Sequence, residues 1–360
     1  VTPTVTLTDP DPDRLAAKVR AVDAVINRAG FVTKVEDLNA VEAWLGGLPG
    51  QAYADVRRPM VSTLNLCDLL PVSAIWPGPL LNAHLTEELG KQGRPGVQPS
   101  LMHTRTNATT PFRLDLHQGD VGHTFVVGPT GAGKSVLLNT LALQWRRYPG
   151  ARVVMFDKGR SCRAPSLLVG GGFYDLGPWG EAPAFQPLAR IDRAEERIWA
   201  QDWILDLLEA SGVNATPALK SELWTALANL ASGPAEQRTL TVLAATVQDH
   251  AVKAALKPFT LEGPHGRLLD AAEERLTARD WQAFELGALM ETPAALGPVL
   301  TYLFHVLERG FDGRPTLIVL DEAWRFLEST AFARKIREWL WTVRKLNVCV
   351  VFSTLSLSSI

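Results

Sequence analysis

The feature that most restricts this chain is the octet Gly128-Pro129-Thr130-Gly131-Ala132-Gly133-Lys134-Ser135. It fills the pattern G-x-x-x-x-G-K-[ST] at every fixed position and lies between the apolar run HTFVVG and the helix-patterned run VLLNTLALQWRR. A glycine-rich turn that leaves a strand and enters a helix gathers backbone N–H groups at the positive end of that helix, where a phosphate is received. The next apolar run, ARVVMFD, completes a strand, loop, helix, strand unit. Such a unit implies a parallel sheet with helices on its faces, so the expected fold class is α/β.

Within the octet the chemistry divides by residue type. The glycines open the backbone toward the phosphates, Lys134 reaches the β- and γ-phosphates, and the Ser135 hydroxyl ligates magnesium. The stretch from Gly128 to Val136 is thus the candidate nucleotide contact, with ATP and Mg2+ as the expected cofactors. A second run, Leu317-Ile318-Val319-Leu320-Asp321-Glu322, reads as a buried strand ending in two carboxylates at the sheet edge where ligands of such folds bind. Alone it is a strand ending in solvated acids. Beside the phosphate loop, Asp321 is expected to hold the metal through water and Glu322 to polarise the attacking water, which favours hydrolysis over nucleotide storage. Ser353 and Thr354, directly after the run VVF, either sense a γ-phosphate or simply end a strand, and Asp157 either contacts magnesium or water or caps the next helix.

Along the chain, Leu15, Val19, Val22, Val25 and Ile26 fall at helical spacing with Gly30 as the stop signal, and FVTKVE alternates as a short strand. A second helix is predicted over LNAVEAWL. The Gly-, Pro- and polar-rich KQGRPGVQPS reads as a linker or crossing loop, so residues 1–100 are expected to be the end of an N-terminal α+β domain plus linker, and residues 101–360 a second domain. Residues 192–296 are nearly all helical in pattern and predict a helical insertion, after which PTLIVLDE, a helix over Ser329 to Leu346, and NVCVVFST resume the α/β pattern. The most apolar stretch, residues 286–307, carries Glu291, Pro293, Pro298 and His305, and is predicted as a buried helix.

Composition narrows the function classes. With 36 basic and 38 acidic residues and a net charge of −2, no whole-chain field draws the protein to nucleic acid, although a local basic patch stays open. Cys67, Cys162 and Cys349 are odd in number and form no C-x-x-C pair, which argues against a disulfide framework and a zinc site and fits a reducing cytoplasm. The opening VTPTVTLTDPDPDRL has neither basic n-region nor apolar run, and a first residue of Val reads as a piece of a longer protein. Trp199, Trp203, Trp339 and Trp341 at helical or near-helical spacing read as core or interface residues rather than base-stacking platforms.

Taken together, NAVEAWLGGLPG, RRPMVSTLNL, DVGHTFVVGPTGAGKSVLLN, MFDKGRS, LIVLDEAWRFL and VRKLN make the chain resemble the conjugative-transfer and type IV secretion ATPases, the CagE/TrbE/VirB-type family, in its TrbE-like branch. The phosphate loop is generic; the combination of DKGRS, DEAW and RKLN is specific. The resemblance implies a RecA-like P-loop domain with a helical insertion. It also implies homo-oligomers such as hexamers, work with other secretion components at the inner face of the membrane, and ATP hydrolysis that energises conjugation, pilus assembly or export. It points to Arg344 as an arginine reaching a neighbour's γ-phosphate, although a basic residue there also suits a helix end. In the family Thr-Gln follows the last strand, whereas here Leu355 follows Thr354. A DNA-pumping ATPase of the same fold and an ATP-binding assembly scaffold with little turnover are the alternatives.

Overall fold

The computed structural model describes residues 4–51, 62–64, 67, 76–106, 110–177, 184–322 and 330–355. Two compact units divide between Ile75 and Trp76. In the first, α1 (Pro12–Arg28) begins where Asp11 accepts the N–H groups of Asp13 and Arg14, with proline in its first turn. It is followed by Gly30 at φ +87°. α2 (Ala40–Gly46) comes next. The alternating stretch FVTKVE forms no strand, and Phe31, Val32 and Val35 are exposed. Alternation makes a strand only where a neighbour takes up its backbone groups, and no strand occurs among the described residues of this unit.

The second unit opens at residue 76 and not near 100. Its first helix, α3 (Ala83–Lys91), is capped by Asn82 and buries Leu85 and Leu89. The expected linker is tied down: Asn82 N–H donates to the Gln98 carbonyl, and Gln98 N–H donates to the Thr86 hydroxyl at 2.9 Å. A hairpin of β1 (Met102–Arg105) and β2 (Pro111–Leu114) follows. Then come β3 (Thr124–Val127), α4 (Lys134–Trp145), β4 (Arg152–Asp157), α5 (Arg163–Leu168) and β5 (Gly172–Asp175). Four further helices, α6 (Ala194–Ala210), α7 (Pro217–Ala231), α8 (Leu240–Thr246) and α9 (His250–Leu256), and the short α10 (Gly266–Leu269), build the helical insertion. β6 (Trp281–Glu285), α11 (Gly287–Met290), α12 (Pro293–Arg309), β7 (Thr316–Leu320), α13 (Thr330–Val343) and β8 (Val348–Thr354) complete it.

Six strands form one sheet in the order β3-β8-β7-β4-β6-β5, parallel at every pairing. Side chains alternate between two cores although the strands read as continuous apolar runs, because both faces are covered. Val153, Met155, Leu317, Val319, Cys349 and Val351 pack toward Leu138, Leu141 and Trp145 of α4. Val154, Phe156, Ile318, Leu320 and Val350 pack toward the insertion, α12 and α13. Phe156 stacks on Phe284 and Phe304 at ring distances of 5.3 and 5.2 Å. The apolar stretch of residues 286–307 lies in α11 and α12 as buried helix, and among the described residues no helix is long and apolar enough to cross a membrane.

The helical pattern predicts helix as far as residue 296, but β6 interrupts it. Its five residues are buried on both faces between β4 and β5, so no alternation marks it in the sequence. Its two polar members are satisfied individually: Gln282 donates to the Thr277 carbonyl, and Glu285 accepts backbone N–H groups. Of the four tryptophans singled out, Trp203 and Trp339 are buried, Trp199 stacks on His305 at 3.9 Å, and Trp341 is 73% exposed.

Candidate nucleotide site

The phosphate loop leaves the carboxyl end of β3, an edge strand, and is pinned at its first residue by Gly128 N–H donating to the Thr354 carbonyl of β8 at 3.2 Å. Gly131 and Gly133 have φ +80° and +86°, conformations that cost other residues strain, and nothing lies within 4 Å of where their Cβ atoms would sit. Backbone conformation, not space, therefore demands glycine at these two positions. Ala132 N–H closes the turn on the Pro129 carbonyl at 3.2 Å, and α4 starts at Lys134. The Lys134 ammonium donates to the Gly128 and Pro129 carbonyls at 2.5 and 3.2 Å, folded back on its own loop. Thr130 and Ala132 are exposed, as is Val136, while Ser135 is half-buried.

Strand register gathers the acidic residues. Asp175 lies opposite Glu285, and Glu285 opposite Asp157. One residue beyond the Phe156, Leu320, Phe352 register, Asp157, Asp321 and Ser353 stand on the same level of the carboxyl edge. Asp321 is 7% exposed, its N–H donates to the Phe156 carbonyl, and its Oδ1 accepts the Glu322 N–H at 3.1 Å. Burial raises its carboxyl above the ordinary range; the Ser353 hydroxyl and the Glu322 amide pull the other way, and the charges of Asp157 and Glu322 add to the rise. Glu322 itself is held at φ +54°, a left-handed conformation costing a non-glycine residue about 1–3 kcal/mol. A buried carboxyl raised in this way, beside a hydroxyl-bearing loop, is a place that a cation fits.

Of the two readings of Asp157, the capping bonds are present: it accepts the Ser161 hydroxyl at 3.0 Å and Cys162 N–H at 2.8 Å, at the start of α5. Burial and this carboxylate push the Cys162 thiol well up. Three residues missed by the sequence reading support the same loop. Glu285 accepts the N–H groups of Gly159, Arg160 and Gly287 at 3.1, 2.6 and 2.9 Å. Asp175 pairs with Arg160 at 2.8 Å, and Arg160 has φ +60°. Asn139 of α4 donates to the Ser135 carbonyl at 2.8 Å and the Ser161 carbonyl at 3.3 Å, joining the phosphate-loop helix to the 158–161 loop. Only recognising β6 and β5 as strands would have exposed the two acids, since each ends one of them.

Thr354 is buried and Leu355 is 40% exposed just beyond it. Arg344 is not brought to this edge within the chain. It precedes β8, a seven-residue strand spanning about 23 Å, and so lies at the opposite edge of the sheet. There its Nη1 is 3.9 Å from Asp120, and its guanidinium lies 6.0 Å from the Trp341 ring centre. Trp324 of the DEAW motif lies outside the described residues.

No protein-family profile matches the chain. It is 41% identical over 363 residues to a probable conjugal transfer protein TrbE of Sinorhizobium fredii, a match covering 99% of this chain and 53% of that protein. It is 40% identical over 364 residues to the conjugal transfer protein TrbE of Rhizobium radiobacter, covering 99% of this chain and 43% of that protein. The chain therefore spans about half the length of these relatives. Among solved structures, VirB4 of Thermoanaerobacter pseudethanolicus superposes with a TM-score of 0.54 at 19% identity, covering 71% of this chain and 76% of that one. That likeness concerns the fold, and it supports the RecA-like α/β arrangement expected from the sequence.

Proposed function

Because this chain belongs to the TrbE-like branch of the conjugative-transfer and type IV secretion proteins, we propose that it binds ATP with magnesium and hydrolyses it, as part of a motor energising conjugative transfer, pilus assembly or substrate export. The observation that carries this reading is the meeting of the Gly128–Ser135 loop with the Asp321–Glu322 strand end on one edge of a parallel sheet, where such folds bind ligands. The Lys134 ammonium, resting on two carbonyls, exchanges them for the phosphates. The N–H groups of the loop and of the first turn of α4 receive phosphate oxygens. Ser135 and Asp321 hold the cation, which when bound neutralises charge between the phosphates. Glu322 orients and polarises a water, and Ser353 and Thr354 sit where the state of the phosphates is felt.

Arg344, at the opposite edge, cannot serve its own nucleotide; in a ring of copies, a hexamer for instance, it reaches the site of a neighbour. We place the working protein in the cytoplasm, held peripherally at the inner membrane by other secretion components. Leu355, an exposed apolar residue beside Thr354, supports a second reading, an ATP-binding assembly scaffold with little turnover.

The test is magnesium-dependent ATP turnover over a range of protein concentrations, beside Lys134→Ala, Glu322→Gln and Arg344→Ala. The motor reading expects turnover per subunit to rise with concentration and to vanish in the first two variants. It also expects Arg344→Ala subunits to slow wild-type ones when mixed. Tight ATP binding without turnover, lost only in Lys134→Ala, would replace it with the scaffold.

A further inference from the structure

A second concave surface lies at the amino-terminal edge of the sheet, where β4, β6 and β7 begin. It is a cavity of about 550 Å³, walled in part by Val306 and Phe311 and rimmed by Arg146, Arg152, Arg279 and Arg314. β4 alone is six residues long, about 20 Å, so this cavity is separate from the phosphate loop.

The arginines are arranged, not scattered. Arg152 donates to the Gly310 carbonyl and pairs with Asp312 at 3.1 Å, while Arg314 pairs with Asp312 at 3.0 Å and Asp280 at 3.1 Å. These two side chains are only 20% and 22% exposed, held along the rim by the two aspartates. Arg146 and Arg279 are exposed, and neither has an ion-pair partner among the described residues. Four guanidiniums against two carboxylates leave two positive charges in a chain whose net charge is −2. Helix ends account for Arg146 after α4 and for Arg152 against α12. They do not account for Arg279 and Arg314, which stand on the loops before β6 and β7.

We propose that this cavity binds a phosphate-bearing ligand, with the doubly charged phosphoryl group between the guanidiniums and an apolar body against Val306 and Phe311. The excess of two cations matches a dianion, guanidinium forks bind phosphate through paired N–H groups, and the volume is that of a small-molecule site. The same chemistry recognises a free phosphorylated molecule or the headgroup of an acidic phospholipid, and the probes separate these sources.

The test uses the full chain carrying Lys134→Ala, which removes the phosphate loop as a competing site. Binding of inorganic pyrophosphate is measured by calorimetry, and binding to phosphatidylglycerol vesicles, with phosphatidylcholine vesicles as reference, by co-sedimentation. Each is repeated with Arg146→Glu and Arg279→Glu together and with the charge-matched surface pair Arg163→Glu and Arg193→Glu. The proposal expects at least one probe to bind, at least tenfold weaker binding after reversal at the rim, and no such loss in the control pair. Pyrophosphate binding alone assigns a free phosphate; vesicle binding alone assigns a headgroup. Arg279→Gln, which leaves the rest of the rim intact, should weaken the same probe about threefold and guards against a misfolded double variant. Binding of neither probe, or equal loss in the control pair, overturns the site.

Discussion

Replacing Glu285 by glutamine tests whether the 158–161 loop is clamped from beneath as the structure shows. Oε1 accepts Gly159 and Gly287, and Oε2 accepts Arg160 at 2.6 Å. A glutamine keeps its carbonyl for the first two, which lose charge assistance at about 0.5–1 kcal/mol each, and turns an amide N–H toward the Arg160 N–H. That buried amide is left without an acceptor, a cost of about 1–3 kcal/mol. Release of Arg160 from its left-handed conformation returns about 1 kcal/mol. The net loss is about 1–4 kcal/mol, with a centre near 3 kcal/mol, or about 6–12 °C in Tm for a unit of this size. Thermal unfolding at neutral pH measures it directly. Because Ser161 is bonded to Asn139 of α4, ATP turnover should fall as well, while the wild-type value is approached by Arg160→Gly added to Glu285→Gln. A midpoint within about 1 °C of wild type would show that the carboxylate does not hold the loop.

Gly133→Ala should destabilise by about 1–2 kcal/mol through its positive φ alone and abolish ATP binding, read by unfolding and by nucleotide titration. Asp321→Asn should raise Tm at pH 7 while removing turnover. A carboxyl raised in the fold binds its proton more tightly there than in the unfolded chain, so wild-type stability falls as pH rises through its folded pKa. The gain of the variant should therefore shrink as pH drops into the carboxylate range, and a gain unchanged with pH would refute the assignment. Trp339→Ala should cost about 3–5 kcal/mol, since the ring is buried 4.6 Å from Phe304, whereas Trp341→Ala should change stability by less than about 0.5 kcal/mol; denaturant unfolding separates them.

Legibility in the sequence follows the reach of the interactions. The phosphate loop is local chemistry: two left-handed glycines, a strand before and a helix after, all within one stretch of chain, so residues 128–136 are plain from the sequence. Asp321 and Glu322 are readable because β7 is a pure aliphatic run. β6 is not, because WQAFE holds polar residues satisfied only by partners brought in by the fold, among them backbone amides of the 158–161 loop. The same blindness hides Glu285 and Asp175. FVTKVE fails in the opposite direction, since its alternation is a property of the segment but a strand is a property of a pair. The boundary near residue 100 is misplaced because glycine and proline mark turns whether or not the turn is bonded to a neighbour, and Gln98 is. Arg344 is legible as a cation near a strand; which edge it occupies requires the direction of β8.

The pairing of β3 with β8 has a consequence during synthesis. Thr124 and Val351 are partners across most of the chain, so the strand that carries the phosphate loop has no neighbour until the last strand has been made. At ribosomal speeds the wait is roughly 10–40 s, during which β3 is a bare hydrophobic edge and Gly128 lacks the carbonyl that pins it. A nascent chain therefore cannot hold nucleotide as the finished one does, and chaperones meet an unpaired strand for the whole of that interval.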